Sequence, residues 1–348
     1  MLKVGINGFG RIGRAIFRTN MNKKLFEIVA INDINKDVDN IAYQLNYDTL
    51  YDQLKDKFKV CNNHMENKEY NLKVFHENHI DEVDWKSCDI DIVIDASGIL
   101  DNVLRGHATI EKQNVKKVIV THSPNEVDFT MVLGANEDKL DLSKHHVISS
   151  SICDATAIGP VLNIIKNAFG IASGQLTTMH PWLGYQNLMD GPASSWSVPG
   201  EIYHHFALGR SAVGNMIPKP TSALSASCKV VDGISPDLIG SYSIRTPTQI
   251  VGCADITLVL KKNTSQAEIV KVFEGYAKNQ KWDIINNNID PLVSLDFKGS
   301  EFAANVDHRF TNLVQGNMLK LVLWYDNEWG YATKVCEQVK YINDKMKD

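Results

Sequence analysis

The run Gly8-Phe9-Gly10-Arg11-Ile12-Gly13 constrains this chain more than any other stretch. It follows the short apolar run Lys3-Val4-Gly5-Ile6-Asn7. The residues after it, 10–23, carry a helical period with Ile12, Ala15 and Ile16 on one face. Three glycines at this spacing between a strand and a helix read as a phosphate-binding turn. Gly8 permits the tight turn, Gly10 lets a pyrophosphate come close, and Gly13 lets helix pack closely on strand. The pyrophosphate then rests on the first turn of the helix, where Arg11 and Ile12 stand. The motif alone is weak, but Asp33 completes it at the end of the next strand, 28–31. Its carboxylate accepts hydrogen bonds from ribose hydroxyls and repels a 2′-phosphate, and Ile34 beside it offers no cation for one. The expected cofactor is therefore NAD rather than NADP.

Two further continuous apolar runs, 91–95 and 117–120, alternate with helical stretches. This is the pattern of a parallel sheet covered on both faces. The texture changes after Cys153. Ile158, Val161, Leu162, Ile165 and Phe169 fall at helical spacing, which predicts a helix over about 154–169. Longer strands are expected at 175–180, 240–245 and 251–260, and a last helix at about 331–346. The polar stretch 61–70 reads as a turn or an exposed hairpin. The expected fold is α/β: a Rossmann-type NAD domain over 1–152 plus about 319–348, and an α+β catalytic domain over 153–318.

Composition narrows the function. The 348 residues are 44% apolar and 22% charged, with a net charge of −5, which disfavours a nucleic-acid surface. No apolar run reaches the roughly 20 residues of a membrane helix. The first residues enter a strand at once and lack the apolar core of a signal peptide. Six cysteines without a CxxC pair suit a reduced, cytoplasmic compartment. Neither HExxH nor a zinc-finger spacing occurs, so no metal is expected.

Cys153 lies where a strand pattern gives way to a helical one, in Ser151-Ile152-Cys153-Asp154-Ala155-Thr156. A thiol there faces the positive end of a helix dipole and free N–H groups, which favour the nucleophilic thiolate. Asp154 is adjacent, and its charge opposes that ionisation.

Two end segments carry a family resemblance. Val4 to Arg14 with Ile31-Asn32-Asp33, and Trp324-Tyr325-Asp326-Asn327-Glu328-Trp329-Gly330-Tyr331, resemble the opening and the C-terminal signature of glyceraldehyde-3-phosphate dehydrogenases. Between them Lys116 to Val120, Asp190-Gly191-Pro192 and Ile244 to Thr248 fall in the family's order. The resemblance spans essentially the whole chain. It implies a homotetramer and a C-terminal helix packed on the first domain. It also implies that Cys153 is the nucleophile and His180 the base. Asn327 then orients the nicotinamide amide, Tyr331 lines its pocket, and Ser97 lies near the cofactor. Arg245, Thr221 and Arg210 match the family's anion-binding positions.

The resemblance breaks around the nucleophile. The family's Ser-Cys-Thr becomes Ile152-Cys153-Asp154, and the family's threonine after the base becomes Leu183. Three hydroxyl donors to phosphate are gone, each worth roughly 1.5–3 kcal/mol when charge-assisted. Asp154 stands at the substrate site in their place. Lys219 is a candidate substitute cation, with a solvated surface lysine the commoner reading of such a residue. The segment from Ser197 to Phe206 lengthens the loop after Asp190, and His204-His205 read as exposed polar residues. Three readings stay open. One is the phosphorylating dehydrogenase with an altered anion site. Another is a dehydrogenase for a different aldehyde, with a thioester cleaved by water. The last is a non-catalytic NAD-binding protein.

Overall fold

The computed structural model describes residues 1–193 and 205–347. His204 and the inserted residues 197–203 lie outside them. The chain divides into two compact units. The first comprises Met1–Met131, Lys139–Ser151 and Val335–Asp348, and the second Val132–Asp138 and Ile152–Lys334.

The first unit is built on a nine-stranded sheet. Its middle is parallel, in the order Val147–Ser149, Lys117–Val120, Ile92–Asp95, Lys3–Asn7, Glu27–Asn32 and Asn71–Phe75. The chain leaves Lys3–Asn7 towards one side, through Glu27–Asn32, and later returns to its other side at Ile92–Asp95. That reversal opens a crevice beyond the carboxyl ends of the two strands, the standard ligand site of such sheets. The Val/Ile-rich strands are buried on both faces, as their unbroken apolar runs require. Trp85 fills the space against Gly5, where a Cβ would stand 2.6 Å from the indole. The polar stretch 61–70 contributes the strand His64–Glu66, which hairpins with Lys59–Cys61 at the sheet edge.

The second unit holds an eight-stranded mixed sheet. Ile171–Pro181 pairs in parallel with Ile239–Thr246 and antiparallel with Gly252–Leu260, which pairs with Met318–Tyr325. Met318–Tyr325 is hydrogen-bonded into this sheet. The expected return to the first unit near residue 319 therefore comes later, inside the helix Trp329–Lys345, at Val335. The helix Cys153–Phe169 is almost wholly buried.

Candidate functional site

In the first unit the glycine turn takes the geometry its spacing requires. Gly8 has φ +85°, and a Cβ there would stand 2.6 Å from the backbone of Ser97. Only glycine fits where the two strand ends meet. A Cβ at Gly13 would lie 2.2 Å from the Gly8 carbonyl oxygen, which confirms the tight packing of helix on turn. Gly10 caps the helix Arg11–Lys23 and has open space where its Cβ would be. The Arg11 side chain pairs with Asp48 at 2.7 Å. Asp33 accepts from Phe9 N–H at 2.8 Å and Asn35 N–H at 2.9 Å, which fixes its carboxylate at the end of its strand. Ser97 Oγ accepts from Ile99 N–H and from Asn102. Open space over Gly10, a helix start and a fixed carboxylate suit a dinucleotide. Beneath the turn, Asn32 donates to Asn7 and Asn7 donates to Asp95. Burial pushes Asp95 up to about 6.

In the second unit Cys153 and His180 come together from different elements. Cys153 is the first residue of its helix, whose N-cap Ile152 supplies no side-chain acceptor. His180 comes from the end of Ile171–Pro181. Its Nε2 lies 3.6 Å from Cys153 Sγ, and its Nδ1 lies 2.7 Å from the Pro181 carbonyl oxygen. A carbonyl can only accept, so Nδ1 carries the proton and the bare Nε2 faces the sulfur. Asp154 is buried in the first helical turn, with Oδ1 3.8 Å from Sγ and 4.0 Å from His180 Nε2. The Tyr325 hydroxyl donates to the same oxygen at 2.7 Å. The Tyr325 ring lies over Gly252, where a Cβ would stand 2.6 Å away, so only glycine leaves room for it.

Burial decides the charge states. It pushes the Cys153 thiol well above its usual value, and Asp154 pushes the same way. Arg245 and the adjacent backbone N–H groups oppose them and lose. Burial, with Arg245 second, pushes His180 down to about 4 against the pull of Asp154. The resting pair is therefore thiol and neutral imidazole. The thiolate expected from the helix start is not the resting form, because desolvation outweighs the partial charge of a helix end.

Arg245 is the register partner of His180 on the neighbouring strand. It is buried, its guanidinium reaches the Tyr185 hydroxyl at 3.4 Å, and its Nε has no partner among the described residues. A buried donor left open near Cys153 suits an anionic group. Lys219 departs from the expected solvated lysine. It is half-buried, burial and Arg245 hold it below the usual lysine range, and Asp154 pulls the other way. Thr221 Oγ1 accepts from Ala223 N–H at 3.1 Å, which leaves its hydroxyl proton to donate. Arg210 is paired with Asp190 at 2.7 Å and largely exposed. Asn327 is buried, and its Oδ1 accepts from Val251 N–H at 3.0 Å, so its amide N–H₂ end is the one offered. Val251 itself has φ +71°, a strained value for a β-branched residue. Tyr331 is buried in the last helix. Leu183 lies on the chain just after His180, with its N–H on Gln186.

Sequence reasoning missed Tyr325 and Tyr185. Tyr325 sits inside the Trp324–Tyr331 stretch, and alternation along its strand turns it inward. Tyr185 gave no signal, because a loop tyrosine has no periodicity.

Comparison with known proteins agrees with this arrangement. The family model described as glyceraldehyde 3-phosphate dehydrogenase, C-terminal domain, matches residues 152–327. The model for the NAD binding domain of the same enzyme matches residues 2–103. Similar curated proteins include glyceraldehyde-3-phosphate dehydrogenase 1 of Bacillus cereus, 31% identical over 99% of both chains. The Schizophyllum commune enzyme is 32% identical over 98% of this chain and 97% of its own. The cytosolic enzyme of Chlamydomonas reinhardtii is 30% identical over 99% and 97%.

Proposed function

The chain belongs to the glyceraldehyde-3-phosphate dehydrogenase family, and we propose that it oxidises a small phosphorylated aldehyde through a Cys153 hemithioacetal and thioester. One observation carries the assignment of roles: a bare His180 Nε2 at 3.6 Å from Sγ, with Nδ1 committed to Pro181. NAD is the cofactor. When bound, it supplies the acceptor for the hydride that leaves the hemithioacetal carbon. Sγ bonds to the aldehyde carbon, and the thiol proton passes to the former carbonyl oxygen. Nε2 then removes that hydroxyl proton as the C–H bond breaks, so the carbonyl of a thioester re-forms on Cys153. Arg245, Lys219 and Thr221 hold the substrate's anionic end. The Asn327 amide orients the nicotinamide beside Tyr331, and Asp33, Gly8, Gly10, Gly13 and Ser97 hold the adenosine end and pyrophosphate. A homotetramer in the cytoplasm fits the family resemblance and the cytosolic relative.

A second reading concerns the last step. The Asp154 carboxylate lies 3.8 Å from Sγ, which favours water over inorganic phosphate as the group that resolves the thioester. NADH formation from glyceraldehyde 3-phosphate, with and without inorganic phosphate, tests both. Phosphate-dependent NADH with an acyl phosphate product supports the phosphorylating reaction. Phosphate-independent NADH with a carboxylic acid product supports hydrolysis. No NADH with any of a panel of aldehydes, despite tight NAD binding, refutes the assignment.

A further inference from the structure

Cys153 and His180, which the hydride-transfer chemistry uses, form a compact donor set with Asp154, which it does not use. Sγ, Nε2 and Oδ1 lie 3.6, 3.8 and 4.0 Å apart in their three pairings. The circle through three points so spaced has a radius of about 2.2 Å, against bond lengths of about 2.3 Å for Zn–S and 2.0–2.2 Å for Zn–N and Zn–O. One ion thus reaches all three donors with shifts of a few tenths of an ångström. Among the described residues this is the group of Cys, His and acidic donors close enough to hold an ion. Both supporting contacts of a built metal site are present. The Nδ1–H of His180 is held by the Pro181 carbonyl, which leaves the lone pair on Nε2, the atom 3.6 Å from Sγ. The Asp154 carboxylate is held by the Tyr325 hydroxyl.

We propose that Cys153, Asp154 and His180 form a three-ligand site for a borderline-soft divalent cation, Zn²⁺ foremost. A thiolate and an imidazole disfavour Mg²⁺ and Ca²⁺, which take oxygen ligands. Three protein ligands leave a fourth tetrahedral position open to water or a substrate oxygen. Binding exchanges the thiol proton for the metal and releases that proton to solvent. Thiolate and carboxylate together cancel the ion's two charges, which offsets the nearby Arg245. The bound ion occupies the sulfur and the Nε2 lone pair, so metal and aldehyde exclude each other at Cys153.

The test is a Zn²⁺ titration of the full-length protein without NAD, competed against a chromophoric chelator. Co²⁺ substitution then reads the ligands through a thiolate-to-cobalt charge-transfer band. One equivalent is expected, and Asp154→Asn is expected to weaken it by at least about tenfold, while Cys153→Ala and wild-type protein alkylated at Cys153 lose it. The alkylated protein needs no mutation and so separates ligand loss from misfolding. No stoichiometric zinc in wild type, undiminished affinity in Asp154→Asn, or zinc retained after alkylation would each overturn the site. Dehydrogenase turnover should fall with site occupancy and return on adding EDTA; full turnover at saturating zinc would overturn the mutual exclusion. The titration needs no substrate, so an inactive enzyme that still binds one zinc refutes the proposed dehydrogenase and leaves this site standing.

Discussion

Replacing Asp154 with asparagine should make Cys153 a faster nucleophile towards iodoacetamide. The substitution keeps the size of the side chain and an oxygen that accepts the Tyr325 hydroxyl, while removing one negative charge 3.8 Å from Sγ. Two unit charges at that distance interact by about 1 kcal/mol in water and about 4 kcal/mol at an effective dielectric constant of 20. The thiol should therefore titrate lower, and the thiolate fraction near neutral pH should rise by about ten- to a thousandfold. Thiolates of lower basicity are weaker nucleophiles, with a Brønsted slope of about 0.4–0.5, so about three- to fourfold in rate survives per tenfold gain in thiolate. The net expectation near neutral pH is roughly a 3- to 50-fold acceleration. Transfer of the thiol proton to His180 changes little, because Asp154 lies almost equally far from Sγ and Nε2 and its two effects cancel. The gain therefore belongs to thiolate that has lost its proton to solvent, and it shows as a downward shift of the alkaline limb of the rate profile. The assay is alkylation from about pH 6 to 10 with peptide mass spectrometry, which separates Cys153 from the exposed Cys61. An alkaline limb that stays put or moves up would show that Asp154 does not act on the sulfur as a charge.

Three further outcomes are expected. His180→Ala should lower kcat by about 10²- to 10⁴-fold with NAD affinity unchanged, because it removes the base and leaves the first unit intact; stopped-flow NADH formation and NAD titration read the two separately. Asp95 is held up at about 6 from an ordinary 3.8, so its favourable contribution is complete below about pH 4 and is lost as pH rises through about 6. The stability of Asp95→Asn relative to wild type should accordingly improve by up to about 3 kcal/mol between pH 4 and 7, as urea unfolding would show; a pH-independent difference would refute the assignment. Gly8→Ala should abolish NAD binding and destabilise the protein, since φ +85° and a 2.6 Å approach to Ser97 leave no room for a methyl group; calorimetric NAD binding at the wild-type level would contradict this.

Much of the fold is legible along the chain because its determinants are local. The glycine turn, the unbroken apolar strands 92–95 and 117–120, and the helix starting at Cys153 each follow from periodicity and from where a Cβ is tolerated. The expectation that Cys153 is a nucleophile rested on its place at a helix start, and the mismatch of Ile152, Asp154 and Leu183 with a phosphate site rested on the family resemblance. Lys219 was left between a substitute cation and a solvated lysine, because a lysine on a short strand gives no sign of how far it is buried.

Tertiary structure alone decided what those residues are to one another. Residues 153, 180, 245 and 325 are far apart in sequence, and only the register of His180 with Arg245 and the inward turn of Tyr325 bring them around one sulfur. Burial then settled the protonation of the thiol and the imidazole, a quantity that depends on water excluded by the whole unit. It also made Asp154, a neighbour in sequence that reads as a simple disturbance, the third donor of a compact set. Charge and spacing along a chain are local; dielectric and triangulated distance belong to the folded molecule.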